Sequence, residues 1–280
     1  MDETKSRFLW LDIFSDKETP RSNRRLLYFP QTETEWELKQ VLTEKIFDDI
    51  ITGKDGVYEV SGLALVTQTR GPSQGTEAIL RIRMQTPPVK DPNSRLREKF
   101  DYSKLKETEI CWMGDHEIQV LQQLTEAGCS CTPTLIDYDV VAQSDDEYVP
   151  GGYIAFILME KLPGRNLENF HTFSLKKRDE VRISFLKSLR KLYALGYTHL
   201  DPRRRNIMWD NDTKRCFFVG IEEFDYQGKI KLIPRIDYRL WGLGSKHDVA
   251  IEGESDDPMI PSDYEEVPLE EDDEDNITEH

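Results

Sequence analysis

The chain has 280 residues, of which 38% are hydrophobic and 10% aromatic, enough for one large core or two small ones. Its net charge of −16 is concentrated at the end, because residues 251–280 hold 14 Asp and Glu but no Lys or Arg, which leaves −2 for the first 250 residues. No apolar run approaches the ~20 residues of a membrane helix, and charges interrupt the start of the chain where a signal peptide needs an apolar core, so we expect a cytoplasmic or nuclear protein without a membrane partner.

The first elements in chain order are predicted to be a helix and two strands. The helix begins at Thr34, because Thr34 and Glu37 form a capping box. Apolar residues then recur at helical spacing, at Leu38, Val41, Leu42 and Ile46. Residues 57–69 are rich in β-branched and aromatic side chains, and residues 77–85 alternate, so both segments are predicted to be strands.

A second group of elements follows a charged, proline-containing loop. Residues 107–128 have apolar positions near helical spacing and end on a glycine, which predicts a helix. Residues 134–143 and 153–160 read as two strands, and "KLPG" then breaks the pattern. Leu175 to Gly196 is amphipathic and predicts a helix with one apolar face. A loop, a β-hairpin from residue 206 to 220 and a short helix at 237–244 complete the predicted elements.

This order predicts an α+β fold with two lobes and a cleft between them. The β-rich N-lobe with one helix covers about residues 1–158, the hinge 159–164, and a truncated helical C-lobe 165–250. Residues 251–280 form an acidic tail that we expect to be disordered, because it has too little apolar surface to offset its ordering entropy.

The cysteines and tryptophans are predicted to be structural. Cys129 and Cys131 form a C-x-C pair, but no second pair lies at metal spacing, so reduced and partly buried thiols are expected for all four cysteines. The tryptophans are expected to anchor the core rather than to contact a ligand: Trp10, Trp36, Trp112 and Trp241.

The segment "HLDPRRRN", His199 to Asn206, carries the chemistry of the chain. It fits the pattern H-x-D-x-x-x-x-N and resembles the catalytic loop of protein kinases. The resemblance implies that Asp201 accepts a proton from the attacking hydroxyl, that Arg203 contacts the transferred phosphate, and that Asn206 binds a metal ion. Asp201 as a turn-stabilising acid and His199 as a structural residue are the plain alternatives.

Other segments resemble the remaining parts of the kinase family by their order in the chain. "AILR" resembles the third-strand motif with Arg81 in place of the usual lysine, and Glu117 resembles the helix glutamate that pairs with it. "LMEKLPG" resembles the hinge, where the backbone of Glu160 to Leu162 would meet the adenine of ATP. The chain is most similar to the small, divergent kinase-like proteins of filamentous fungi, which are related to aminoglycoside phosphotransferases.

The metal loop departs from the family pattern. Aligning "FFVGIEE" with the D-F-G or D-F-E segment places Gly220 at the position of the metal-binding Asp. Glu222, Glu223 and Asp225 are the acids that could replace it, and Glu222 is the first choice as a metal ligand together with Asn206. No G-x-G-x-x-G precedes the third strand, and Arg81 is no equivalent of lysine.

Three functions stay open on this evidence. The departures favour a pseudokinase that binds ATP with Mg²⁺ weakly or not at all and acts on a protein partner that the sequence does not identify. An active, divergent ATP-dependent phosphotransferase and an interaction protein acting through its acidic tail are the alternatives. Arg203–Arg205 could be a nucleic-acid patch, but three arginines without interleaved aromatic residues make nucleic acid a weak partner.

Overall fold

The computed structural model describes residues 8–14, 25–48, 52, 57–88, 95, 101–228, 238 and 240–244. Within these ranges twelve β-strands and two α-helices form an α+β architecture, as the sequence predicts. None of the helices in the described part is both long enough and apolar enough to cross a bilayer. The acidic tail, predicted for residues 251–280, lies outside the described residues.

A seven-stranded antiparallel sheet forms the N-terminal layer. Its strand order is β1-β2-β4-β5-β7-β6, and β3 pairs with β4. The strands are β1 (Leu26–Phe29), β2 (Thr34–Val41), β3 (Lys45–Phe47), β4 (Tyr58–Arg70), β5 (Glu77–Thr86), β6 (Leu135–Ala142) and β7 (Tyr153–Glu160).

The helix predicted from Thr34 is wrong, because this segment forms β2 and β3. Thr34, Trp36 and Leu38 are buried while the residues between them face outward, which is the period-two pattern of a strand. The register shifts between Leu38 and Gln40, and this irregularity turns Val41 inward instead of Gln40. The phase shift explains why the apolar residues mimic helical spacing.

Two helices and two small sheets form a second layer, which packs on one side of the N-terminal sheet. The helices are α1 (Trp112–Glu126) and α2 (Leu175–Ala194), the latter capped by Ser174 Oγ, which accepts from Lys177 N. The small sheets contain β8 (Arg165–Asn166), β9 (Tyr197–His199), β10 (Ile207–Asp210), β11 (Arg215–Phe218) and β12 (Phe224–Tyr226). Their orders are β11-β10-β8 and β12-β9.

Strand β7 lies between two hydrophobic cores. Ile154, Phe156 and Leu158 pack into the core of the N-terminal sheet, whereas Ile157 and Met159 pack against α1 and α2. Because both faces are covered, the strand is a continuous apolar run rather than an alternating one. The second core therefore joins the N-terminal sheet, through β7, to β9 and β10, the strands on either side of the catalytic-loop motif.

Smaller differences from the predictions concern element ends. Helix α1 begins at Trp112 rather than at residue 107, and the Trp112 side chain at its start is 56% exposed, so Trp112 is not a core anchor. Tyr238 and residues 240–242 form turns, so the helix predicted at 237–244 is wrong for the described part of that segment.

The four cysteines are free thiols, of which Cys129 is the most accessible.

Candidate functional site

The catalytic-loop motif lies between β9 and β10, and His199 holds it in place. Nδ1 of His199 accepts a hydrogen bond from the Asp201 backbone N–H at 3.1 Å, so this nitrogen carries no proton. Nε2 therefore carries the proton and donates to the Val219 carbonyl at 2.9 Å. Burial lowers the pKa of His199, which agrees with a neutral ring. These bonds fit the structural alternative for His199.

Asp201 is surrounded by donors. One carboxylate oxygen forms an ion pair with Arg203 Nε at 2.6 Å, and the other accepts a hydrogen bond from Arg205 Nη2 at 2.8 Å. Asn206 Nδ2 also donates to the carboxylate at 3.1 Å and to the Asp201 carbonyl at 2.8 Å. Burial raises the pKa of Asp201, but these donors lower it more, so the pKa lies below its usual value. The carboxylate is well oriented, but its donors make it a weak base.

Gly220 lies beside Asn206, where the sequence alignment places the missing Asp. Its φ of +77° is left-handed, and a Cβ atom built on it would lie 3.2 Å from Asn206 Oδ1 and 3.5 Å from His199 Nε2. The backbone N–H of Val219 donates to the Asn206 carbonyl at 2.9 Å, which fixes this neighbourhood. A side chain at residue 220 would therefore begin next to the Asn206 amide oxygen, and glycine provides no carboxylate there.

Of the three acids after Gly220, Glu222 and Asp225 have side-chain contacts, and these differ. Glu222 Oε2 accepts from Arg81 Nη2 at 3.0 Å. Burial raises the pKa of Glu222, but Arg81 and Arg83 lower it more, so its pKa is lowered overall and it is a carboxylate. Asp225 lies on β12 and accepts from Gln227 instead. Glu222 is thus committed to a cation of the protein.

Arg81 and Glu117 form the contact that the sequence predicts. Arg81 Nε donates to Glu117 Oε1 at 3.0 Å, and the Glu117 side chain is completely buried. The same guanidinium donates to Glu222 through Nη2, so Arg81 bridges α1 and the segment after Gly220. This fork of donors is what distinguishes arginine from lysine at this position.

Two further charged residues were missed in the sequence. Arg83, fully buried on β5, donates to Glu117 Oε2 at 2.9 Å and to Glu59 Oε1 at 2.7 Å. Burial lowers the pKa of Arg83, but Glu117 and Glu59 raise it more, so the guanidinium stays charged. The available signal was the spacing of Arg81 and Arg83, which places both on one face of β5.

These residues form one continuous ion cluster, which we call the β5–α1 ion cluster. In order of contact it contains Glu222, Arg81, Glu117, Arg83 and Glu59. Three carboxylates against two guanidinium groups give it a net charge of −1. The positive charge of Arg81 is fully compensated within the cluster.

The residues at the site do not fit the metal ion that the kinase resemblance implies. Asn206 offers an amide oxygen, but residue 220 has no carboxylate and Glu222 is paired with Arg81. Among the described residues, no group of three or more His, Cys, Asp or Glu side chains is arranged to hold a metal. We therefore derive no chemical step through a metal at this position.

The predicted hinge residues follow β7. The Glu160 backbone N–H donates to the Thr134 carbonyl at 2.9 Å, and its carboxylate accepts from Thr134 Oγ1 at 3.0 Å. Leu162 is buried. The Glu160 N–H is thus used within the protein and is not directed at a ligand.

No protein-family model and no curated protein matches the sequence. Among solved structures, the chain is similar to the kinase PK-1 of Cydia pomonella granulovirus, with a TM-score of 0.41 and 12% identity over 68% of this chain and 52% of that one. It is also similar to vaccinia related kinase 3, with a TM-score of 0.37 and 17% identity over 78% of this chain and 56% of that one. The chain thus spans little more than half the length of these kinases.

The element order agrees with the two-lobed kinase-like fold that the sequence predicts. A sheet carrying Arg81 and a helix carrying Glu117 precede the hinge, and α2 precedes the loop that carries Asp201 and Asn206.

Proposed function

We propose that the chain is a pseudokinase, a kinase-like domain that binds or regulates a protein partner without metal-dependent phosphoryl transfer. The observation that supports this most is the pairing of Arg81 with both Glu117 and Glu222 at 3.0 Å. The cation that should meet the phosphates of ATP is already neutralised, and the carboxylate nearest to it would repel them.

Electrostatics gives the expected size of this effect. Phosphoryl transfer in kinases depends on positioning and on charge stabilisation, in which metal ions neutralise the β and γ oxygens. Losing one aligned charge-stabilising group costs on the order of 10²–10³ in rate. Here Gly220 removes a ligand, and Glu222 compensates Arg81, so the two losses act on the same phosphates.

The remaining parts of the proposal follow the sequence. The kinase-like domain spans residues 1–250, with lobes at 1–158 and 165–250 and a hinge at 159–164, and it acts in the cytoplasm or nucleus. ATP with Mg²⁺ binds weakly or not at all. Nucleic acid is a poor partner, because Asp201 pairs with both Arg203 and Arg205 and so offsets part of the charge of the arginine run.

A divergent ATP-dependent phosphotransferase is the second candidate, and one observation favours it. Asp201 and Asn206 keep the hydrogen bonds that orient a catalytic carboxylate, at 2.8 and 3.1 Å. In this alternative Asp201 would be the base, Arg203 would contact the phosphate, and Asn206 and Glu222 would be the residues that hold a metal ion.

Transfer of the γ-phosphate of radiolabelled ATP, to the protein itself and to a mixed-peptide substrate, separates the two candidates. The assay compares wild type with Asp201→Asn in the presence of Mg²⁺ and of Mn²⁺. For a pseudokinase, both proteins give the same background. A wild-type rate ten or more times that of Asp201→Asn would establish the phosphotransferase instead, since removing the base costs ~10²–10⁴-fold.

A further inference from the structure

A basic cleft lies beside α2, away from the kinase-like site. It has a volume of about 410 Å³, and its lining includes the thiol-bearing residue Cys131 and the carboxylate of Glu180. Its lining also includes four cations, Lys187, Lys191, Lys214 and Arg215. In a chain whose net charge is −16, this local excess of positive charge favours a small anionic ligand.

Two thiols lie next to each other on the loop that borders this cleft, and Cys131 is the one among the lining residues. Cys129 and Cys131 follow the end of α1, and their sulfur atoms are 3.4 Å apart. Cys131 is buried, and its Sγ lies 3.4 Å from the Ser188 carbonyl as well as 3.4 Å from Cys129 Sγ, so its one S–H proton can be donated to either, whereas Cys129 is partly exposed. A disulfide requires the sulfurs to approach by a further ~1.3 Å, a movement that a short loop can make.

The two thiols differ in their protonation. The hydrogen bond from Cys131 lowers the pKa of Cys129 to about 6, against the effect of burial and with help from Thr132 and Lys191. The bond to Cys129 and burial raise the pKa of Cys131 well above its usual value. At neutral pH these shifts make Cys129 the thiolate and Cys131 the thiol, so Cys129 is the attacking sulfur and Cys131 is the resolving thiol.

Lys191 connects the cleft to the thiols. Its Nζ donates to Ser130 Oγ at 3.2 Å, and Ser130 is the residue between the two cysteines. The Arg215 guanidinium donates to the Ser130 carbonyl, which holds a second cation at the same loop. An anion bound in the cleft would therefore lie against the loop that carries both thiols.

We propose that Cys129 and Cys131 form a redox-active dithiol that reacts with small anionic disulfides of the glutathione type bound in the basic cleft. The Cys129 thiolate attacks one sulfur of the ligand, whose S–S bond breaks, and the departing thiolate takes a proton from water. Cys131 then gives up its proton and attacks Cys129 Sγ, which releases the second small thiol. Two protein thiols are oxidised to one disulfide, and one small disulfide is reduced to two thiols.

This activity does not depend on phosphoryl transfer or on nucleotide binding. It uses residues of the α1–β6 loop, α2 and β11, whereas the pseudokinase proposal uses β5, α1 and the loop after β9. A failure of one proposal therefore leaves the other standing.

Intact-mass analysis and peptide mapping of the full chain treated with glutathione disulfide at pH 7 test the reaction. We expect wild type to lose two hydrogen atoms and link Cys129 to Cys131, Cys131→Ala to retain one glutathionyl group on Cys129, and Cys129→Ser to show neither product. Alkylation of wild type by iodoacetamide at pH 7 should label Cys129 before Cys111, a readout that needs no variant to fold. Equal labelling of these residues, or no reaction with glutathione disulfide, would overturn the proposal.

The charge of the small disulfide tests whether the cleft selects anionic ligands. Glutathione disulfide should oxidise wild type faster than cystamine, a disulfide of similar chemistry but positive charge. Lys187→Gln should slow the reaction with glutathione disulfide by about two- to fivefold, the effect of an exposed ion pair, while Lys39→Gln in the N-terminal sheet should leave it unchanged. If cystamine reacts at least as fast, the cleft does not select anionic disulfides.

Discussion

At the scale of single residues, Gly220 and Glu222 affect the two ends of one site. Gly220 leaves Asn206 without a neighbouring carboxylate, and Glu222 compensates the charge of Arg81. The sequence predicts the first effect, because strand position and the H-x-D-x-x-x-x-N motif align Gly220 with a metal ligand. It could not predict the second, because the contact between Arg81 and Glu222 joins residues 141 positions apart.

Restoring the missing carboxylate should create a cation site. In Gly220→Asp the new Cβ atom lies 3.2 Å from Asn206 Oδ1, and Asp tolerates the left-handed backbone better than most residues. We expect saturating Mn²⁺ to raise the melting temperature of this variant by about 2–5 °C, the effect of a ligand at roughly ten times its Kd or more.

Gly220→Asn is the matched control for this variant, because it has the same size and backbone preference but no charge. Differential scanning fluorimetry with Mn²⁺ and with EDTA measures the melting temperatures of both variants. Equal responses of the Asp and Asn variants would show that residue 220 does not face a metal position.

The Glu222–Arg81 pair should make stability depend on pH. The pKa of Glu222 is lowered from its usual 4.5, so the folded state binds fewer protons than the unfolded state in that range. The stabilisation is therefore complete above pH 4.5 and is lost as the pH falls through the folded-state pKa. We expect the free energy of unfolding of wild type to exceed that of Glu222→Gln by about 1–3 kcal/mol at pH 7. The difference should be smaller at pH 3.5, and urea unfolding measures it at both pH values.

Glu223→Gln serves as the control on the same 3-10 turn, since Glu223 is not among the residues that pair with Arg81. Its free energy of unfolding at pH 7 should match that of wild type. A difference between wild type and Glu222→Gln that grows toward acid pH would contradict the assigned ion pair.

At the scale of elements, the β5–α1 ion cluster ties the N-terminal sheet to α1. The strand β5 was predicted within one residue, because its alternation is regular. The sequence prediction included Arg81 but not Arg83. The sequence does not distinguish a buried arginine from an exposed one, because the partners Glu59 and Glu117 come close to Arg83 only in the folded chain. The helix predicted from Thr34 failed for a related reason, because an irregularity in β2 changes the phase of its apolar residues.

Breaking this cluster at Arg83 should be costly. Arg83→Met leaves Glu59 and Glu117 buried without their shared cation, and removing one partner of a buried ion pair typically costs about 3–5 kcal/mol. Urea unfolding followed by far-UV circular dichroism measures the loss.

Arg70→Met is the comparison, because Arg70 also lies on a strand of the sheet and pairs with a glutamate, Glu35, but its side chain is 69% exposed. Its stability should stay close to that of wild type. Similar losses for the two variants would mean that the cluster does not hold β5 against α1.

At the scale of the whole molecule, two cores on either side of β7 form the architecture. The sequence predicted the α+β class and the order of most elements, because long amphipathic and apolar runs such as α2 and β7 depend on local pattern. It could not predict which side chains meet across the lobes, because those contacts depend on packing between elements distant in the chain.

The acidic segment should be dispensable for this architecture. Removing residues 251–280 takes away 14 acidic side chains, and the sequence of this segment has too little apolar surface to build a core. We expect the shortened chain to keep the melting temperature of the full chain within about 2 °C, a change of less than ~1 kcal/mol. A drop of several degrees in circular dichroism melts would show that the segment supports the fold, and loss of a captured partner would favour a function in the tail.

The central claim is that the kinase-like site lacks metal-dependent nucleotide binding. Isothermal titration calorimetry of the wild-type chain with ATP, once with Mg²⁺ and once with EDTA, tests it directly. The account predicts that Mg²⁺ changes the affinity by less than about threefold, under 1 kcal/mol, because Gly220 offers no ligand and Arg81 is paired with Glu117 and Glu222. An affinity that rises tenfold or more with Mg²⁺ would contradict it and would restore the phosphotransferase as the better description.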